Sequence, residues 1–264
     1  MPTGNAPKYN DPMHIAPAPS HFTISAFCYA LGYGVGLAAF MVMAARRRLV
    51  TLGMMRVMTA GLVGGLVCAC VAQWVLTGAE GKSVLGGLAG GYATVWVYKK
   101  YLGIRRSTGD LFAVAMSAGE AVGRWGCYFA GCCYGRPSHV PWAIWQHGAW
   151  RHPTQIYSSL ASAAILVVLL TVENKRPVEN TLFFLQGTLF CAARFVIEFY
   201  RAGSVSSIGL STAQIACVFG FLFFSFGLAR LTRQATTTAQ HTGAEATPAS
   251  SNQGIRHGPT TSAN

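Results

Sequence analysis

Residues 119–135 read GEAVGRWGCYFAGCCYG and continue an apolar run that begins near Asp110. Glu120, Arg124 and three cysteines lie within this stretch. Ionisable side chains are costly inside a bilayer, so they normally face a protein partner or a water-filled cavity. An acid and a guanidinium in a candidate membrane span therefore predict a polar site between helices.

The composition of the whole chain is typical of a membrane protein. Of its 264 residues, 52% are hydrophobic and only 11% are charged, whereas soluble domains carry about 25% charged residues. The formal net charge is +12, but the lysines and arginines lie at the ends of apolar runs, as membrane topology requires. We therefore expect a lipid bilayer as the surroundings and no nucleic-acid partner.

The two ends of the chain differ from its middle. Residues 1–20 contain proline and asparagine, with no basic start leading into an apolar stretch, so they do not resemble a cleaved signal peptide. Residues 231–264 are rich in Thr, Ala and Ser, a composition that cannot form a core. We predict disordered tails at 1–20 and 231–264 around one transmembrane domain at 21–230.

A helix needs roughly 20 apolar residues to cross the hydrocarbon core, and the chain contains seven candidate segments. They are residues 22–45, 57–76, 83–98, 110–131, 154–172, 181–201 and 210–229. The third is short and rich in glycine, which permits close helix contact. The sequence thus predicts an all-α, polytopic membrane protein with about seven transmembrane helices.

The distribution of basic residues predicts the orientation of these helices. With the N-terminus outside, most lysines and arginines fall in the inner segments, as the positive-inside rule requires. The inner basic residues are Arg46–Arg48, Arg56, Lys99, Lys100, Arg105, Arg106, Lys175, Arg176, Arg230 and Arg233. The outer ones are Lys8, Lys82, Arg136, Arg151 and Arg201. We therefore predict an outside N-terminus and a cytoplasmic C-terminus.

Two arginines lie within predicted spans, and each has an acid at helical i±4 spacing: Glu120 with Arg124, and Arg194 with Glu198. At about 1.5 Å per residue, Arg124 and Arg194 lie roughly 21 and 20 Å from the inner ends of their helices. Both reach the outer half of the bilayer, where two guanidiniums can hold a lipid phosphate. Alternatively, the pairs only hold helices together.

Three segments in this order carry a resemblance to a known family: GRWGCYFAGCCYG (123–135), RHPTQIYSS (151–159) and ARFVIEFYR (193–201). Over residues 22–229 the chain resembles the prolipoprotein diacylglyceryl transferases. Two shorter motifs, GGLAGG (86–91) and STAQI (211–215), match the family less specifically. The resemblance implies transfer of diacylglyceryl from phosphatidylglycerol to the cysteine thiol of a prolipoprotein, with release of glycerol phosphate. It also implies a bacterial plasma membrane location and an active site toward the outer leaflet.

The family pattern is retained at some positions and changed at others. Arg124 matches the arginine of the family signature, and Arg194 and Glu198 match a second arginine and its acid. Elsewhere this chain replaces family polar residues. The replacements are Leu85 for a His, Cys127 and Ala130 for two Asn, and Cys132 and Ser158 for two Glu.

The resemblance implies roles for the remaining residues. Arg124 and Arg194 would hold the phosphate, while Glu120 and Glu198 orient them. His152 is the replacement proton acceptor in reach, or else it caps the helix that starts at Pro153. Gln155 and Tyr157 would bind the headgroup, or else they pack in the core. Prolipoprotein signal peptides are the expected protein partners, and neither a cofactor nor a metal ion is implied.

The cysteines leave several interpretations open. A disulfide joining Cys127 to Cys132 or Cys133 is chemically permitted outside the cytoplasm, but unpaired cysteines also pack as small apolar residues. The spacing CxxxxCC matches no common zinc pattern. The five other cysteines are expected to pack within their spans: Cys28, Cys68, Cys70, Cys191 and Cys217.

Other functions compete with diacylglyceryl transfer. The replaced polar residues favour a divergent relative that acts on another lipid or acceptor. The cysteine cluster (Cys127, Cys132 and Cys133) favours a membrane thiol-redox protein. A transporter is disfavoured because the sequence shows neither an internal repeat nor a pair of proline-broken helices.

Overall fold

The computed structural model describes residues 19–77, 84–175, 178–203 and 209–245. These residues form seven helices and one two-stranded hairpin. The helices are α1 (Pro19–Arg46), α2 (Leu52–Thr77), α3 (Val84–Tyr101), α4 (Gly109–Phe129), α5 (Thr154–Glu173), α6 (Thr181–Glu198) and α7 (Thr212–Glu245). The strands are β1 (Ile144–Gln146) and β2 (Ala149–Arg151).

Each predicted span falls on one of these helices. Within the described ranges, five helices are long and apolar enough to cross a membrane, namely α1, α2, α5, α6 and α7. The glycine-rich α3 and the central α4 are not among them. Asp110, Glu120 and Arg124 all lie in α4, and these charged side chains lower the hydropathy of the helix.

The ends of the chain are partly helical. Helix α7 continues to Glu245, so residues 231–245 of the predicted C-terminal tail are helical, a conformation that their Ala and Gln residues allow. The other tail residues, 1–18 and 246–264, lie outside the described residues, as do Lys8, Lys82 and Arg176. The hairpin between α4 and α5 is an addition to the all-α fold that the sequence predicts.

Close glycine contacts bring the helices together. A Cβ atom on Gly32 of α1 would lie 2.9 Å from the Gly119 carbonyl oxygen of α4, and the same distance from the Gly123 Cα. A Cβ on Gly65 of α2 would lie 3.2 Å from the Gly87 carbonyl oxygen of α3. Small residues permit such backbone contact between membrane helices. Helix α4 also packs on α5 and α6, which places it at the centre.

A partly buried ionic network joins four helices at the end of the bundle where α4 begins. Arg47, directly after α1, donates from Nη1 to Asp110 of α4 at 2.8 Å and from Nε to Glu173 of α5 at 2.9 Å. Asp110 is 1% exposed and also accepts the backbone N–H groups of Asn180 and Phe183 at 3.0 Å. The hydrogen bond with Glu173 raises the pKa of Arg47. The apolar core, which includes Phe40, Leu111, Leu169 and Leu182, adjoins this network.

The hairpin covers the opposite end of the bundle. Strands β1 and β2 are antiparallel, with Trp145 opposite Trp150. Residues His147 and Gly148 form the turn and both have positive φ, 50° and 73°, which tight hairpin turns require. A backbone bridge between Gly135 and Arg201 ties the segment before the hairpin to the residues that follow α6.

Candidate active site

The first charged pair lies on α4. Arg124 donates from Nε to Glu120 Oε1 at 2.9 Å, and its Nη2 contacts the same oxygen. The two side chains are 20% and 21% exposed. The i,i+4 spacing places both on one helix face, and the carboxylate fixes the direction of the guanidinium.

A second group of charges lies at the end of α6. Glu198 Oε2 accepts Arg194 Nη2 at 2.7 Å and Arg201 Nη1 at 3.2 Å. Arg194 Nη1 is buried and finds no hydrogen-bond partner within the described residues. A buried donor without an acceptor costs free energy, so this guanidinium is suited to an additional anionic ligand.

Arg124 and Arg194 line the same cleft between α4, α5 and α6. The α5 side of the cleft presents small residues, among them Ser158, Ala161 and Ser162. The cleft has a volume of about 10 Å³, room for roughly one water molecule. A lipid headgroup therefore requires the helices to separate before it reaches both arginines.

A larger cavity of about 220 Å³ adjoins the second charged group, and we call it the Arg201 cavity. It is lined by Arg136, Glu198, Phe199, Arg201, Gly203, Gly209, Ser211 and Gln214. Two of its buried donors, Arg201 Nε and Gln214 Nε2, lack a hydrogen-bond partner in the described part of the chain. Glu198 lines this cavity and binds Arg194 of the cleft, so the two spaces are neighbours.

Gln214 is positioned by the start of α7. Ser211 Oγ accepts the Gln214 backbone N–H at 3.2 Å, and Gln214 Oε1 accepts the Ser211 N–H at 2.8 Å. This reciprocal pair is a capping box. The cap uses the amide oxygen, which leaves the Nε2 group free to bind a ligand in the cavity.

Sequence reasoning missed Arg201 and Gln214 as candidate site residues. By sequence alone, Arg201 falls only among the outer basic residues, although Arg201 lies just three residues after Glu198 and pairs with it in the structure. The pattern Ser-x-x-Gln in STAQ was a detectable signal for the cap of α7. No sequence signal connected this cap to Arg201.

Two predicted site residues, His152 and Tyr157, belong to an aromatic cluster beside the hairpin. His152 Nδ1 lies 3.2 Å from Tyr157 Oη, which accepts the Trp142 indole N–H at 2.7 Å. The His152 ring also packs on Tyr200, with ring centroids 5.0 Å apart. Neither residue is among the described residues that line the cleft or the Arg201 cavity. Since Tyr200 directly precedes Arg201, the cluster adjoins the cavity.

Gln155 supports the cysteine-bearing loop. Its side chain is 2% exposed and donates to the Cys132 carbonyl oxygen at 2.8 Å and to Gln146 Oε1 at 3.2 Å. Among the described residues, Gln155 lines neither the cleft nor the Arg201 cavity. The structure therefore places this predicted headgroup ligand as a link between α5, the hairpin and the loop.

The cysteine cluster lies next to the arginines. The sulfur atoms of Cys127, Cys132 and Cys133 all lie within 4.8 Å of one another, and all eight cysteines of the chain are free thiols in the structure. Hydrogen bonds from the other two thiols lower the pKa of Cys133, and the charges of Arg201 and Arg124 lower it further. Of the two interpretations that the sequence left open, a disulfide at Cys127 or unpaired cysteines, the structure has the unpaired thiols. Leu85 replaces the family histidine, and its side chain lies outside the part of the chain that the structure describes.

In the described ranges, five helices long and apolar enough to cross a membrane, with the arginines of two arginine–carboxylate pairs lining a cleft between helices, define the class as a helical membrane protein with charged side chains inside its helix bundle. The prolipoprotein diacylglyceryl transferase family model matches residues 14–230, which include both pairs. The chain belongs to the prolipoprotein diacylglyceryl transferase family.

Individual relatives carry the name phosphatidylglycerol–prolipoprotein diacylglyceryl transferase. The protein of Aromatoleum aromaticum is 31% identical over 230 residues, which cover 72% of this chain and 85% of the relative. That of Clostridioides difficile is 31% identical over 143 residues, covering 54% and 58%. That of Gloeobacter violaceus is 31% identical over 169 residues, covering 58% and 62%. The chain thus spans less than two thirds of the length of several relatives that it matches.

Proposed function

We propose that this chain transfers diacylglyceryl from phosphatidylglycerol to the cysteine thiol of a prolipoprotein. The main support is that Arg124 and Arg194, from two different helices, line one cleft, each held by its own carboxylate. The names of the relatives specify the same lipid and acceptor. The unpaired Arg194 Nη1 donor matches the remaining requirement, a bound anion.

The lipid phosphate binds between the two guanidiniums after the helices separate. Arginine suits this task because its planar donors hold phosphate oxygens in pairs. The unpartnered donors of Arg201 and Gln214 face the neighbouring cavity, which has room for the polar glycerol of phosphatidylglycerol. The acyl chains stay in the bilayer, so the lipid reaches the cleft sideways.

The reaction exchanges one bond for another. The acceptor thiolate forms a sulfur–carbon bond to the glyceryl carbon, and the bond from that carbon to the phosphate oxygen breaks. Glycerol phosphate leaves with the electron pair, and the arginines stabilise its charge, an effect that is largest where water is excluded. The thiol proton passes to a base before or during attack.

His152 is the proposed proton acceptor. It lies in the aromatic cluster that adjoins the Arg201 cavity, where the acceptor cysteine of a signal peptide would approach. Its Nδ1 contacts Tyr157, so the tautomer of the imidazole depends on this hydroxyl. Glu120 and Glu198 orient the arginines, while Gln155 and Tyr157 support the groups that meet the substrate.

We further propose seven membrane spans in a bacterial plasma membrane, with the N-terminus outside and the C-terminus in the cytoplasm. The basic residues Arg46–Arg48 and Arg56, at and beside the Arg47 network, then lie on the cytoplasmic side, as the positive-inside rule requires. The hairpin lies at the outer interface, where its exposed tryptophans Trp145 and Trp150 and the preceding Trp142 match the aromatic belt of membrane proteins. The active site faces the outer leaflet.

Complementation tests this function. Cells depleted of their own transferase receive the chain, and mass spectrometry of a model lipoprotein measures diacylglyceryl attachment. We expect modification by the wild-type chain, but not by R124A or R194A. The matched control is R106A, since Arg106 is 71% exposed and pairs only loosely with Glu179 at 3.7 Å. Full modification by R124A and R194A, at normal membrane levels, would overturn the proposal.

The same variants distinguish the competing functions. A thiol-redox protein needs its cysteines and should tolerate loss of the arginines. If the chain acts on another lipid or acceptor, even the wild type should not modify the model lipoprotein. R124A should then abolish the activity on that other substrate. Supplying phosphatidylglycerol as the sole anionic lipid in vesicles then identifies the donor.

A further inference from the structure

Three sulfur atoms converge at the end of α4. Cys127 lies in the last turn of the helix, and Cys132 and Cys133 lie in the loop that follows. Their sulfurs lie within 4.8 Å of one another. Sulfur atoms that share one zinc-sized ion at about 2.3 Å are roughly 4 Å apart. The spacing in the structure therefore needs only a small contraction around an ion.

The loop holds these sulfurs in place through its backbone. The Cys132 N–H donates to the Cys127 carbonyl oxygen at 3.1 Å, while Thr154 Oγ1 and Gln155 Nε2 each donate to loop carbonyl oxygens at 2.8 Å. Cys133 has a positive φ of 58°, which is uncommon for a residue other than glycine. Such strain, held by surrounding hydrogen bonds, is found at functional sites.

The surroundings suit an anionic metal–thiolate group. The Tyr29 hydroxyl of α1 lies 3.4 Å from Cys127 Sγ and 3.8 Å from Cys132 Sγ, where it can donate to a thiolate. Arg124 and Arg201 interact electrostatically with Cys133. These groups offset the negative charge that thiolates keep after binding a monovalent or divalent cation. The cysteines are half-buried, so an ion can reach them.

We propose that Cys127, Cys132 and Cys133 form a three-sulfur site for a thiophilic d¹⁰ metal ion, Cu⁺ or Zn²⁺. Thiolates select these soft or borderline ions over the hard cations, which prefer oxygen ligands. The sequence predicted no metal because CxxxxCC fits no common zinc spacing. The fold brings the sulfurs together by turning the chain at Gly131, which has a φ of 66°.

Metal titration of the purified, full-length protein tests this site. The reduced and chelator-stripped protein receives Cd²⁺, whose thiolate complexes absorb in the ultraviolet, as a probe for Zn²⁺, or Cu⁺ in competition with a coloured chelator. Sulfur-to-metal charge-transfer absorption and dialysis measure binding. The test variant is C127S/C132S/C133S, and its matched control is C28S/C68S/C70S, which removes the same number of thiols from α1 and α2.

The expected result is one ion per chain in the wild type and the control, with at least tenfold weaker binding in the test variant. Y29F should weaken binding by about tenfold, the usual effect of losing an outer-shell partner. X-ray absorption of the loaded wild type should show three sulfurs at about 2.3 Å, a readout that needs no variant to fold. The relative affinities for Zn²⁺ and Cu⁺ identify the ion.

Three results would overturn the metal site. They are no binding by the reduced wild type, unchanged stoichiometry in a well-folded test variant, or oxygen and nitrogen ligands in place of the three sulfurs in the X-ray absorption spectrum. A disulfide within the cysteine cluster in protein isolated without reductant would count equally against it. None of these readouts uses lipid transfer, so failure here is separate from failure of the proposed function.

Discussion

Arg194 Nη2 lies 2.7 Å from Glu198 Oε2, one turn further along α6. The same oxygen accepts Arg201 at 3.2 Å, so one carboxylate holds two guanidiniums that line adjoining spaces. Arg194 lines the narrow cleft with Arg124, and Arg201 lines the larger cavity. Glu198 thereby sets the position of both arginines relative to each other.

Replacement of Glu198 should therefore disturb more than one contact. We expect E198A to lower the rate of diacylglyceryl transfer by about 100-fold, the scale of a misplacement of roughly 1 Å in a catalytic group. E198Q keeps an oxygen acceptor and should retain more activity than E198A. Steady-state kinetics with phosphatidylglycerol vesicles measure both. Equal rates for E198Q, E198A and the wild type would contradict the positioning role.

Two changes at Gln214 separate stability from binding. Q214A removes the side-chain oxygen that caps the Ser211 N–H and should lower the free energy of unfolding by about 1 kcal/mol. Q214E keeps an oxygen for the cap at a helix N-terminus, where negative charge is favourable, but replaces the Nε2 donor with a like charge beside the phosphate. We expect normal stability and about a tenfold higher KM for phosphatidylglycerol in Q214E. A normal KM would show that Gln214 does not face the lipid.

The proposed base predicts a different kinetic effect. H152A should lower kcat by about 100-fold, the usual scale for general-base catalysis, with little change in KM for the lipid. The control W142F removes the indole hydrogen bond to the same aromatic cluster and should stay within a few fold of the wild type. Similar kcat values in H152A and W142F would assign His152 to packing.

The close contact of Gly32 in α1 with α4 predicts that a larger side chain at this position lowers the stability of the protein. G32A introduces a Cβ 2.9 Å from the Gly119 carbonyl oxygen, and overpacking of this kind typically costs about 1–3 kcal/mol. The control is G34A on the same helix, where an added Cβ meets nothing within 4 Å. Thermal unfolding in detergent should show a lower Tm for G32A alone. An equal Tm for both variants would show that α1 and α4 are less closely packed.

Much of the helical fold was predictable because long apolar segments carry a strong signal. The charged pairs were also predictable, since an acid and an arginine four residues apart share a helix face wherever the helix packs. The hairpin was not, because its strands have only three residues each and depend on the bridge to Arg201. Likewise, the extent of α7 past Arg230 has no apolar pattern to reveal it.

The parts of the site that depend on contacts between distant segments were harder to predict. The Arg201 cavity is formed by the segment after α4, the end of α6 and the start of α7, and no local spacing connects them. The sequence shows the three cysteines but not how close their sulfurs lie, because that distance depends on the turn at Gly131. The sequence predicts Gln155 as a headgroup ligand or a packing residue, and no local pattern indicates that its amide donates to the Cys132 carbonyl oxygen and to Gln146.

A double-mutant cycle on Arg124 and Arg194 tests most directly whether the two arginines hold one phosphate. Purified R124A, R194A, the double variant and the wild type are compared for transfer from phosphatidylglycerol vesicles to a prolipoprotein peptide. Each single change should lower kcat/KM by about 100- to 1000-fold. The double variant should lose far less than the product of the two effects, because groups that act on one ligand are coupled. Independent, fully multiplying effects, or near-normal transfer by either single variant, would contradict the shared phosphate site.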